Sequence, residues 1–211
     1  MKKIIFIIGM HRCGTSLLSQ CVTKNGFSIG KTKNKDKDWQ NPNGYFENDA
    51  FTKIHEELLN FNNSSWHSIN KDGMVYNKEH VIKYRQSIEN EFKDKTKIII
   101  KDPRLTFFVD FLKEVCLGNH EYNFIFCTRT REECCESLCG AQNISKEKSY
   151  DLYDKTHNLY SDSFLMIDHN DLIYKNSQIM KEIFSFIGMK KDTVSTSDLV
   201  DLKLYRNRFK G

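Results

Sequence analysis

Residues Ile4–Ile8 form an uninterrupted apolar run that ends on Gly9, and Gly14, Thr15 and Ser16 follow shortly after it. A short run with no polar face suits a strand covered on both sides, as in a parallel sheet. Beyond Thr15, Leu17, Leu18, Cys21 and Val22 recur at helical spacing, and Asn25-Gly26 supplies a stop signal. The opening therefore reads strand, glycine-bounded turn, helix. A strand of this kind cannot stand alone. It requires further parallel strands, joined by crossovers that lay helices over the sheet.

The rest of the chain supplies them. KIIIK (Lys97–Lys101), NFIFCT (Asn123–Thr128) and SFLMID (Ser163–Asp168) read as strands. Helical patterns fall at about 49–60, 77–93, from after Arg104 to about Val115, 131–142, 146–160 and 175–187, the last ending in Gly188. The expectation is an α/β chain, a P-loop NTPase-like three-layer sandwich with a mostly parallel central sheet flanked by helices. Residues 1–211 read as a single domain, with a polar, turn-rich flap at about 30–48 and a polar tail at about 190–211. In such folds ligands bind at the carboxyl ends of the strands. The segments there, GMHRCGTS, KDPR, TRTREE and DHNDL, are the richest in charge and glycine.

Bulk properties narrow the function. A length of 211 residues, with 39% hydrophobic and 28% charged residues, is globular and long enough for a real core. A net charge of +4 suits an anionic ligand but is too small to argue for nucleic acid. The seven cysteines are odd in number and irregularly spaced, without paired C-x-x-C motifs. They read as reduced thiols in a cytoplasmic protein, and no metal site is expected. MKKIIFIIGM imitates the start of a signal peptide, but its apolar run is short and leads into a Gly-rich turn. No run approaches the roughly 20 apolar residues of a membrane span.

The turn after the first strand aims backbone N–H groups and a helix N-terminus at one point, which makes an anion site. Arg12 can add a bidentate cation, and Thr15 and Ser16 add hydroxyls. In the nucleotide-binding loop G-x-x-x-x-G-K-[ST], a lysine would stand where Thr15 stands. Its absence argues against an ATP–magnesium site.

GMHRCGTSLL resembles the 5′-phosphosulfate loop of the sulfotransferases. Their second signature, for a 3′-phosphate, is an Arg after a strand and a Ser eight residues later; NFIFCTRTREECCESL offers Arg129 and Ser137 at that spacing. IIIKDPRLTFFVDFL is similar to the K-D-P-R strand end of bacterial and carbohydrate-type members, and FLMIDHNDLIYKNSQIMKEIFSFIGM to their late strand and helix. The resemblance, which includes NPNGYFEN, spans about residues 3–189.

It implies transfer of a sulfuryl group from 3′-phosphoadenosine 5′-phosphosulfate (PAPS), without metal. The acceptor would be a hydroxyl of a glycan, lipid-linked sugar or small metabolite, with carbohydrate expected. Arg12, Cys13, Gly14, Thr15, Ser16, Arg129 and Ser137 would bind the donor. Arg12 and Lys101 would serve catalysis at the leaving oxygen and sulfonate, although Lys101 also reads as a solvated strand-end lysine. Many cytosolic members carry a His after that lysine, where this chain has Asp102-Pro103. Glu47 in NPNGYFEN is then the candidate base, an acid beside Tyr45 and Phe46 where partial burial would suit it to take up a proton. It reads equally as a carboxylate at a helix N-terminus.

His55 is a weaker candidate for the base, and His11 reads as packing or touching phosphate. Asp102 could act as base or orient Lys101 or Arg104. Arg104 is open between acceptor anion, donor phosphate and pairing with Asp102. Asp102, Arg104 and Tyr45 are the acceptor-side candidates. The aromatics of 39–76 suit either core or a sugar site. Arg206, Arg208 and Lys210 suit either a loop closing over the 3′-phosphate or a loose basic tail. The alternatives are an ATP-dependent P-loop small-molecule kinase and a non-catalytic nucleotide-binding module of the same fold.

Overall fold

The computed structural model describes residues 1–32, 44–70 and 74–189. Most of the expected flap and the whole of the tail, with Arg206, Arg208 and Lys210, lie outside the described residues. The chain runs β1 (Lys3–Gly9), α1 (Thr15–Lys24), α2 (Asp49–Phe61), α3 (Lys78–Glu91), β2 (Lys97–Lys101), a 3-10 helix (Pro103–Phe108) and α4 (Val109–Cys116). It continues through β3 (Glu121–Thr128), α5 (Arg131–Gln142), α6 (Lys146–His157), β4 (Leu165–Asp168), α7 (His169–Tyr174) and α8 (Asn176–Phe186).

The described strands form one four-stranded, all-parallel sheet in the order β2-β1-β3-β4, flanked by helices. β1 is central: Ile5 lies between Ile99 of β2 and Asn123 of β3. Ile4, Ile5, Phe6, Ile7 and Ile8 are all fully buried, as a strand covered on both faces must be. Each such side chain contributes about 1.5–3 kcal/mol relative to exposure. The chain leaves β1 towards β2 on one side, and β3 towards β4 on the other. The order thus reverses between β1 and β3, and at the carboxyl ends of those two strands the topology opens a crevice.

Three local differences from the sequence expectation have simple causes. The strand expected from Ser163 begins at Leu165, because Phe164 N–H closes a turn onto the Ser161 carbonyl at 2.9 Å. The segment DHNDL, which lies outside the expected helices, is already helical as α7. The Asp168 carboxylate at the strand end accepts from Asn170 N (2.8 Å) and Asp171 N (3.4 Å), which starts a helix at once. The run after Asp102 opens as a 3-10 helix with Pro103 at its first turn and Asp102 as its cap, and only then becomes α4.

Candidate active site

The turn between β1 and α1 depends on two glycines with positive φ. Gly9 (φ 126°) lies so close to β3 that a Cβ would sit 2.3 Å from the Cys127 carbonyl oxygen. Gly14 (φ 90°) caps α1, and a Cβ there would sit 2.4 Å from His169 Nδ1. Arg12 itself adopts φ 72°, a strained backbone for a residue with a side chain. The strain is held from both sides. Thr106 Oγ1 accepts from Gly9 N at 2.8 Å, and Arg129 Nη1 donates to the Arg12 carbonyl at 3.5 Å.

The two halves of the expected donor site meet. Arg12 Nε donates to Ser137 Oγ at 3.1 Å, joining the β1–α1 turn to α5. Arg129, at the end of β3, is buried and pairs with the buried Glu133 of α5 at 3.4 Å, while Thr130 Oγ1 donates to the same carboxylate. Cys13 and Cys134 Sγ lie 3.2 Å apart behind these groups as free thiols. Hydrogen bonding to Cys13 and burial hold the Cys134 thiol well above its ordinary pKa, so it is an inert packing group. His169, at the end of β4, faces this cluster as well. Burial, followed by Arg129 and Arg12, lowers its pKa to about 3, so the imidazole is neutral.

The second cluster forms where β2 ends. Lys101 Nζ is buried and donates to Tyr45 O (2.8 Å), Glu47 Oε1 (2.8 Å) and Ser16 Oγ (3.3 Å). Ser16 Oγ in turn donates to the Tyr45 carbonyl at 3.0 Å. Lys101 is therefore a shared partner of the β1–α1 turn and the flap end rather than a solvated lysine. Tyr45 enters through its carbonyl. Glu47 is fixed by its neighbour Asn48, whose Oδ1 caps α2 by accepting from Ala50 N (3.0 Å) and whose Nδ2 donates to the Ile29 carbonyl (3.1 Å). The apolar setting expected for Glu47 is replaced by two cations: Oε1 receives Lys101, and Oε2 receives Arg104 Nη2 at 3.1 Å.

Asp102 is buried and acts on Arg104, not on Lys101. Its carboxylate takes Arg104 N (2.9 Å), Arg104 Nε (2.8 and 3.0 Å) and His55 Nδ1 (2.7 Å). Burial works against its charge, but His55 and Arg104 more than reverse this and hold the carboxyl well below the usual carboxylate range. Burial likewise opposes the Arg104 charge and is outweighed by Asp102, Glu47 and Glu56, so its pKa is raised. His55 was legible only as a weak base candidate. Both its ring nitrogens are engaged, Nε2 with Tyr84 Oη at 2.9 Å.

His11, next to Arg12, has a half-buried ring whose Nε2 is fully buried and has no hydrogen-bond partner. Burial, against the pull of Asp102 and with Lys101, Arg104 and Arg12 adding to it, lowers its pKa to about 3. The Trp66 ring lies 5.0 Å from it. Trp66 sits in a tight turn in which Ser65 and Ser68 exchange backbone hydrogen bonds (2.9 and 3.1 Å), and its half-buried indole packs against the core beside His11 of the β1–α1 turn. Among the other aromatics of 39–76, Phe51 is core, Phe46 and Tyr76 pack against it, and Phe61 is half exposed. Trp39 lies outside the described residues. The sequence carried no sign of the Trp66–His11 or His55–Tyr84 contacts, which join distant segments.

A strained, glycine-bounded turn at a helix N-terminus, with Arg12, Ser137, Arg129 and Lys101 converging on it, is built to take an anionic group. A carboxylate, Glu47, stands beside it. No protein-family model matches the sequence, and neither does any curated protein. Solved structures do match. A sulfotransferase domain from the curacin biosynthetic pathway aligns with a TM-score of 0.50 and 13% identity, over 99% of this chain and 79% of the other. The chain has the fold of a sulfotransferase domain. The sulfotransferase domain from the Synechococcus PCC 7002 olefin synthase aligns at 0.49 and 13% identity (98% and 83% covered). Sulfotransferase STF9 from Mycobacterium avium aligns at 0.46 and 10% identity (94% and 66% covered). Among the described residues no helix is long and apolar enough to cross a membrane.

Proposed function

We propose that this chain is a PAPS-dependent sulfotransferase that moves a sulfuryl group to an acceptor hydroxyl, with carbohydrate the expected acceptor class. One observation carries the reading: Arg12 of the first motif and Ser137 of the second, 125 residues apart, meet at 3.1 Å. A donor with phosphates at two ends of one adenosine needs two anion sites side by side. The β1–α1 turn and the segment from the end of β3 into α5 offer them. In this reading Arg12, Cys13 and the N–H groups of Gly14, Thr15 and Ser16 hold the 5′-phosphosulfate. Arg129 and Ser137 hold the 3′-phosphate. The absence of a lysine at Thr15 fits a donor that needs no metal at the loop.

The reaction is an in-line displacement at sulfur. The acceptor oxygen forms a bond to sulfur as the bond from sulfur to the phosphate oxygen breaks. Its electron pair leaves with 3′-phosphoadenosine 5′-phosphate (PAP), and the hydroxyl proton passes to a base. Arg12 and Lys101 stand where the negative charge on the leaving oxygen and the sulfonate would be met. Glu47 is the base. Its Oε1 rests on Lys101, so a lysine drawn to the sulfonate leaves that oxygen able to accept a proton. The Trp66 indole beside the donor turn supports a sugar acceptor, which would lay an apolar face on it. Arg104 and Asp102 shape the acceptor side, and the buried thiols support a reducing cytoplasmic setting.

The test is transfer of labelled sulfate from PAPS across a panel of glycans, lipid-linked sugars and small hydroxylated metabolites, without added metal. A sulfated sugar supports the whole reading, and a product only among metabolites moves the acceptor class. PAP binding with no product from any acceptor would favour a non-catalytic module of this fold.

A further inference from the structure

The catalytic cluster does not end at Arg104. Tyr84 on α3, His55 on α2, Asp102 after β2, Arg104, Glu47 and Lys101 form an unbroken chain of polar contacts that ends at Ser16 of the donor turn. The links measure 2.9, 2.7, 2.8, 3.1, 2.8 and 3.3 Å in that order. Tyr84 and His55 are fully buried among Phe51, Phe92 and Phe111, away from any surface a substrate could reach.

Burial, then Asp102, holds the Tyr84 hydroxyl well above the usual tyrosine pKa, so it stays protonated. Both ring nitrogens of His55 are engaged, Nε2 with the Tyr84 hydroxyl and Nδ1 with Asp102 Oδ2. Asp102 is an ionised acceptor for Arg104 Nε on both oxygens. With Nε pinned, the planar guanidinium can turn no further. Nη2 is aimed at Glu47 and Nη1 at Glu56.

We propose that His55 and Tyr84 are positioning residues for Glu47, acting through Asp102 and Arg104. Without His55, Asp102 Oδ2 loses one of its donors and the carboxylate is held by Arg104 alone. The direction of Arg104 is then less fixed, and with it one of the two cations that hold Glu47. This rests on the reading of Glu47 as the base, but the coupling itself does not.

The experiment therefore has two arms, both in the full chain. In the first, thermal midpoints are measured for His55→Leu, Glu47→Gln and the double variant. The coupling predicts midpoints that miss additivity by about 2–4 °C, as groups in one network do. Additive shifts would overturn the proposal. In the second arm, His55→Asn keeps a side-chain amide donor towards Asp102, whereas His55→Leu keeps none. His55→Leu should lower kcat by roughly 10–100-fold, the cost of a small misplacement at a reacting group, with PAP affinity unchanged. His55→Asn should recover most of that loss, and Tyr84→Phe should fall between. Equal losses in Asn and Leu variants, or losses confined to KM, would overturn it. Failure of the unsubstituted protein to sulfate any acceptor would sink the functional reading, and the thermal cycle would still decide this one.

Discussion

Arg12 Nε donates to Ser137 Oγ at 3.1 Å, so the turn after β1 and the helix after β3 are in direct contact. Arg129 fastens the same junction through the Arg12 carbonyl. A chain that only needed a tight turn after its first strand would not put Arg12 in a left-handed conformation and then brace it from β3.

Removal of the Ser137 hydroxyl follows directly. Ser137→Ala is expected to weaken PAP binding by about 1–3 kcal/mol, the cost of a phosphate contact left unmet. Calorimetry would read it, and an unchanged dissociation constant would remove Ser137 from the 3′-phosphate site.

Glu47→Gln keeps the side-chain shape but gives up its charge. Turnover should fall below detection while PAP affinity stays near that of the parent, because the carboxylate touches the turn only through Lys101. Full activity in this variant would exclude Glu47 as the base.

Gly14→Ala meets two obstacles at once. The residue needs φ 90°, and the new methyl would press on His169 Nδ1. A loss of about 1–3 kcal/mol in stability is expected from the backbone alone, together with weakened donor binding. Denaturant unfolding and PAP titration would read the two effects. Ala tolerated in both would mean that the turn is looser than its geometry.

Acidification should unfold the protein through its buried imidazoles. His11 and His169, mainly through burial, titrate near 3 in the folded chain against an ordinary 6.5. The unfolded chain thus binds more protons between those values, and their contribution to stability, complete above pH 6.5, is lost as pH falls towards 3. Thermal midpoints should drop over that window, and more gently in a His11→Gln/His169→Gln variant. Parallel curves would show that these rings do not drive the loss.

The parts of the account legible in the sequence are local ones. Ile4–Ile8, Lys97–Lys101 and Asn123–Thr128 carry their own burial pattern, and Gly9 and Gly14 mark a turn that few other residues could make. The glycine-bounded turn and the Arg129–Ser137 spacing could be read from short stretches. What could not be read is pairing across distance. Nothing in KDPR says that Asp102 faces His55, and nothing in NPNGYFEN says that Glu47 faces two cations instead of an apolar wall. Trp66 looked like any loop aromatic until the fold set it beside His11. The helix α7 was missed because a carboxylate that caps a helix has the same letters as one in a turn.

In the proposed function the β1–α1 turn and α5 together bind a bis-phosphorylated adenosine without metal. Titration of PAP into the protein in chelating buffer, with ATP and magnesium as the competitor, tests it most directly. Saturable one-to-one PAP binding that ATP with magnesium does not displace is expected. Magnesium-dependent ATP binding with no response to PAP would contradict it.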